Sequence, residues 1–133
     1  MKELNRLAGG RWTSANGAVV QKFEPKESGR LLVGETTVKL PTGGMTMNAR
    51  FGIDPRKDKV YYLDLHGETV YFGHVTLQDR VLVYEFDTLV GKPNRWIVKM
   101  EFLDDDRYRT MMQQWKDGGW KTVSDWSELT RER

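Results

Sequence analysis

The chain has 133 residues, with 21 Lys and Arg against 19 Asp and Glu, five Trp and no Cys. That length suits one domain, residues 1–133, with a single core, and a net charge of +2 makes no electrostatic case for nucleic acid or an anionic membrane. The lack of Cys excludes a disulfide framework and a thiolate nucleophile and fits a cytoplasmic location; no window approaches the roughly 18 apolar residues of a membrane-spanning helix, and the first ten residues lack the apolar run of a signal peptide.

Residues 2–8 read as a short helix with Leu4 and Leu7 on one face. From Trp12 onward, apolar residues alternate with polar ones, and Gly, Pro, Asn or Asp interrupts them at short intervals, the pattern of consecutive antiparallel strands. Strands are predicted at about 11–24 (broken near Asn16–Gly17), 30–40, 45–53, 59–66, 70–77, 80–87, 95–103, 107–115 and 120–130. The connections "PTGG", "DPRKD", "GET", "QD", "DDD" and "KDGG" suit hairpins.

Residues opposite each other in a hairpin share a face, and a one-residue slip inverts a strand. Centring the turns on Gln78–Asp79 and on Glu68 places Tyr61, Leu63, Leu65, Tyr71, Val75, Leu77, Leu82, Tyr84 and Phe86 on one face. Extending outward, with "PTGG" matching Val38 to Met47 and "DDD" matching Met100 to Thr110, adds Leu32, Thr36, Val38, Leu40, Met45, Met47, Ala49, Phe51 and Ile53 on one side, and Trp96, Val98, Met100, Phe102, Tyr108, Thr110, Met112 and Gln114 on the other. Lys39, Glu35, Lys99 and Glu101 then face water. In the last strand one register turns Trp120, Thr122, Ser124 and Trp126 inward and the other Lys121, Val123 and Asp125; the first keeps the charges solvated. A meander with one apolar face must bury that face on itself, and closure into an up-and-down barrel of eight to ten strands does so while removing exposed edges. The expected fold is therefore all-β, a barrel with a short N-terminal helix.

The element "GRW" at Gly10–Trp12, on the first strand after the helical lead-in, resembles the G-x-W element of the calycin superfamily of lipocalins and fatty-acid-binding proteins. The longer pattern "LAGGRW", "GRLLVGE", "FGIDPRKDKVYYLDL" and "LDDDRYRTMMQQWKDGGWKTVSDWSELTR" resembles a bacterial family of small lipocalin-like domains of unknown function, DUF1579. The resemblance implies a calycin-like barrel in which Trp12 closes one end and stacks on an Arg late in the chain, here Arg131. Gly10, Trp12 and Arg131 are thus the expected closure residues. Nitrobindin-like relatives hold haem through a late His; this chain has none after His74, and no cofactor is expected.

A barrel of this size can enclose one small ligand. The predicted lining is Met47, Phe51, Tyr61, Tyr84, Trp96, Met100, Met112 and Trp126, a neutral and largely apolar lumen whose hydrogen-bonding groups are Tyr61, Tyr84, Tyr108, Thr110, Gln114 and Ser124. Arg109 is expected outside, beside Lys99 and Glu101. His66 and His74 fall on the outer face about 13 Å apart, so no shared metal is expected. Asp104–Asp106 read as a solvated turn, and no G-x-S-x-G or other nucleophile context appears. The leading expectation is a non-enzymatic module binding a small, neutral hydrophobic molecule, with no nucleic-acid or membrane partner. An isomerase or hydratase would need a titratable group inside, for which Asp64, Asp125 and Glu128 are the candidates. A packed barrel acting as a homodimer or through protein contact is the third reading.

Overall fold

A computed structural model describes residues 2–54, 56–57 and 59–133. Ten antiparallel strands, β1 (Arg11–Ser14), β2 (Val19–Lys26), β3 (Leu31–Leu40), β4 (Gly43–Asp54), β5 (Lys59–His66), β6 (Thr69–Gln78), β7 (Val81–Val90), β8 (Arg95–Asp104), β9 (Arg107–Lys116) and β10 (Gly119–Glu132), form one closed barrel. Each strand pairs with its neighbours in sequence, and β1 pairs with β10 to close the ring, Trp12 facing Arg131. A four-residue helix, α1 (Lys2–Asn5), precedes the first strand. The all-β up-and-down barrel read from the alternation is therefore present, at the upper end of the predicted strand count. No helix among the described residues is long and apolar enough to cross a membrane.

The first predicted strand is two. Residues between Ser14 and Val19 form a turn in which the Asn16 side chain accepts from the Ala18 amide, while the Ser14 hydroxyl accepts from the Val19 amide. Register elsewhere follows the turns. The β6–β7 turn lies at Asp79–Arg80, so Val75 faces Tyr84 and Gly73 faces Phe86. That is two residues from the predicted pairing and leaves every side chain on its predicted face, as does the two-residue shift that pairs Val38 with Met45. The β8–β9 pairing of Met100 with Thr110 is as read.

Strand β5 is inverted. Its turn comprises two residues, Gly67 and Glu68, so His66 faces Thr69 and Asp64 faces Tyr71. Gly67 sits at φ +60°, the first central position that a tight two-residue hairpin turn assigns to glycine. A turn centred on Glu68 is one residue longer, and that single residue moved the whole strand to the wrong face. Val60, Tyr62, Asp64 and His66 point in; Tyr61, Leu63 and Leu65 point out.

Strand β10 breaks the period of two. Its register against β9 shifts between Thr122 and Ser124 and again between Ser124 and Ser127, each shift placing one extra residue in β10. Neither predicted register survives: Ser124 and Ser127 reach the lumen, whereas Trp120 and Trp126 do not.

The core is densest at the end of the barrel where α1 and the β8–β9 turn meet. Leu4, Leu7, Trp12 and Tyr108 are fully buried there. Above that end the interior opens into a cavity.

Candidate functional site

The cavity occupies about 480 Å³ within the barrel. Its wall is mostly apolar, with Met45, Met47, Met100 and Met112 supplying flexible thioethers that adapt to an irregular guest. An aromatic layer crosses it. Tyr62 lies 5.0 Å from Phe86, 5.3 Å from Phe51 and 5.6 Å from Tyr84 between ring centroids, and Tyr71 lies 5.7 Å from Phe86 and 6.5 Å from Trp96. Gly73 makes this layer possible, because a Cβ there would collide with the backbone of Glu85 and come within 2.5 Å of Phe86 Cα.

Six of the eight residues predicted to line the lumen do so: Met47, Phe51, Tyr84, Trp96, Met100 and Met112. Tyr61 does not, because the two-residue turn turns it outward, where it stacks on Phe72 at 6.2 Å. Trp126 is also outside, because the β10 bulges break the alternation that pointed it inward; it carries the Arg109 guanidinium 4.4 Å from its ring. Arg109 itself pairs with Glu101 at 2.6 Å on the outer surface, as predicted. Of the predicted hydrogen-bonding groups, Tyr84, Tyr108, Thr110 and Ser124 line the lumen, joined by Thr36, which was placed on the inner face, and by Ser14 and Gln21, which the sequence reading did not assign.

Strand inversion brings Asp64 and His66 to the cavity wall, and this corrects the expectation of a lumen lined by neutral groups alone. Asp64 is 8% exposed. Its Oδ2 accepts a 2.5 Å hydrogen bond from the Tyr62 hydroxyl, while its Oδ1 is buried with no partner in the protein. Loss of water raises the Asp64 pKa above its ordinary value, offset in part by the Tyr62 hydrogen bond and by His66. Burial and the neighbouring carboxyl push the Tyr62 hydroxyl well up, and burial does the same to Tyr84 and Tyr108. These phenols are therefore neutral donors across the physiological range. Three further polar atoms on the lumen wall lack a protein partner: Gln21 Oε1, Trp96 Nε1 and the Tyr108 hydroxyl. Among the described residues no Lys or Arg lines the cavity.

The two histidines stand on opposite sides of the wall. His74 faces Tyr61 on the outer surface, whereas His66 faces inward. Among the described residues no three His, Asp or Glu side chains are grouped to hold a metal ion.

The closed end brings Trp12 and Arg131 together. Arg131 lies with its guanidinium 4.5 Å from the Trp12 ring and donates to the carbonyls of Arg6 and Ala8 at 2.9 and 2.8 Å, to the Asp105 carbonyl, and to the Asp106 carboxylate at 3.2 Å. Trp12 Nε1 donates to the Leu7 carbonyl at 2.9 Å. At Gly10, φ is +69° and a Cβ would meet the Glu132 carbonyl at 2.5 Å, so only glycine lets β1 enter the wall here. The Asp104–Asp106 turn does more than face solvent. Asp105 pairs with Arg6 at 3.1 Å, and Asp106 takes both Arg131 and Arg133, whose hydrogen bonds, Arg133 foremost, hold its carboxyl below the usual range.

No family model and no curated protein matches the chain.

Proposed function

We propose that the protein is a calycin-like binding module that holds a small, hydrophobic molecule in its lumen, and that it works in the bacterial cytoplasm. The observation that carries this reading is the cavity: about 480 Å³, within the range of small-molecule sites, walled by Met and aromatic side chains and fringed by four polar atoms with no protein partner. Apolar burial supplies affinity, and the unpartnered atoms orient the guest. The Trp12–Arg131 stack beside Gly10 supports the calycin likeness. A volume well beyond a few waters speaks against a barrel filled by its own side chains.

Native mass spectrometry of the purified protein tests this. The expected result is a co-purifying small molecule, or quenching of tryptophan fluorescence by one or more members of a panel of hydrophobic compounds. An apo mass together with no fluorescence response across the panel overturns the reading.

A second reading has an observation of its own. Acid–base catalysis on a lumenal guest required a titratable inward group, and Asp64 is one. Solvent deuterium appearing in a bound carbonyl compound, and absent with Asp64→Asn, would establish it; no incorporation above the buffer rate would dismiss it.

A further inference from the structure

We infer that the lumen recognises an organic ammonium ion: a primary amine on an apolar body, its cationic head paired with Asp64 and set among the rings of Tyr62, Tyr71, Phe86 and Trp96. The inference rests on the binding-module reading above and specifies the head group of the guest.

Three features converge. The first is the carboxyl itself. Asp64 is nearly fully buried, one oxygen is satisfied by Tyr62, and the other has no partner. A buried acceptor left open is costly, and a ligand that donates to it recovers that cost. A guest carrying its own carboxylate would instead bring like charges together.

The second feature is the rings. The aromatic face carries negative potential, and clusters of such faces favour ammonium over neutral heads. Tyr71 sits directly across the ladder from Asp64 and makes edge contacts with both Phe86 and Trp96, while Tyr62, two residues along the same face, contacts Phe86 as well. The carboxyl therefore stands against the Tyr62 hydroxyl and across the ladder from Tyr71, and those two rings contact Phe86 and Trp96.

The third is that, among the described residues, no permanently charged cation lines the wall. Among the described residues no Lys or Arg lines the cavity, and its basic side chain is His66, two residues from Asp64 on the same strand face. In contrast, the guanidinium of Arg109 is committed to Glu101 and Trp126 on the outer surface. Burying a charge in a low-dielectric site is favourable only when it is paired, and here the unfilled half of the pair is the cation.

Three eight-carbon compounds that differ only in the head group separate the possibilities: octylamine, octanol and octanoate, titrated by calorimetry at pH 7. The expected order is octylamine first, by about tenfold or more over octanol, the factor that one additional charge-assisted hydrogen bond corresponds to, with octanoate weakest. In Asp64→Asn the octylamine advantage should shrink to near unity. Octanol or octanoate binding as tightly as octylamine to the wild-type protein would overturn the inference while leaving the binding-module reading in place. Failure of all three to bind would count against both. Should Asp64→Asn not fold, the wild-type ranking alone still decides the matter. An octylamine preference that persisted unchanged in a folded Asp64→Asn would also overturn it.

Discussion

At the scale of single residues, two side chains carry most of what is specific to this barrel. Trp12 is fully buried, touches Tyr108 at 4.8 Å and Phe102 at 6.3 Å between centroids, and supports Arg131. Replacing it with Ala removes a large apolar contact and leaves a cavity beneath the guanidinium, so Trp12→Ala should cost about 3–5 kcal/mol in denaturant unfolding. A loss below about 1 kcal/mol would mean that the floor closes without it. Asp64 acts in the opposite sense. Its pKa is raised in the folded state, so the native protein binds a proton more readily than the unfolded chain between about 3.8 and the raised value, and stability drains away as pH rises through that window. Asp64→Asn keeps an acceptor for Tyr62 and removes the charge. The variant should therefore gain melting temperature relative to wild type as pH is raised from 4 to 7, with the two converging at the acid end; a constant difference across that range would contradict the assignment.

At the scale of elements, hairpin turns decide which residues form the site. The alternation of β4, β6, β7, β8 and β9 was readable in the sequence, and two-residue errors in pairing were harmless because they preserve the face. Strand β5 was not so protected: in "YYLDLH" Tyr61, Leu63 and Leu65 make the apolar face and Tyr62, Asp64 and His66 the polar one, so alternation alone turns the wrong face inward, and only the Gly67–Glu68 turn fixed the register. Preferring the shortest loop with glycine in its first central position would have found Tyr62, Asp64 and His66. The bulges of β10 had no comparable signal, since "KTVSDWSEL" mixes polar and apolar residues at either parity. Between elements, the closest approach lies at Gly73, where the backbone of β7 and the Phe86 side chain occupy the space of a Cβ. Gly73→Ala should force β6 from β7 and cost about 3 kcal/mol or more, read by thermal unfolding; an unchanged melting temperature would show that the two strands are looser than their register implies.

At the scale of the whole molecule, one end is sealed and the other leads into the cavity. The seal joins sequence-distant parts: Arg131 from β10 reaches carbonyls beside α1 and the Asp105–Asp106 turn, and the pairing of Arg11 with Glu132 closes the ring. The all-β class, the closure by Trp12 and Arg131 and the Met-rich wall could be read from alternation and from the G-x-W resemblance. The carboxyl in the lumen could not, because it depends on one residue of turn length. The account stands on the lumen being the binding site, and its methionines report on that directly. In a spectrum of protein labelled with ¹³C at the Met methyl groups, titration with octylamine should move the signals of Met47, Met100 and Met112 together and saturate at one equivalent. Unmoved signals for these three at saturating ligand would contradict it.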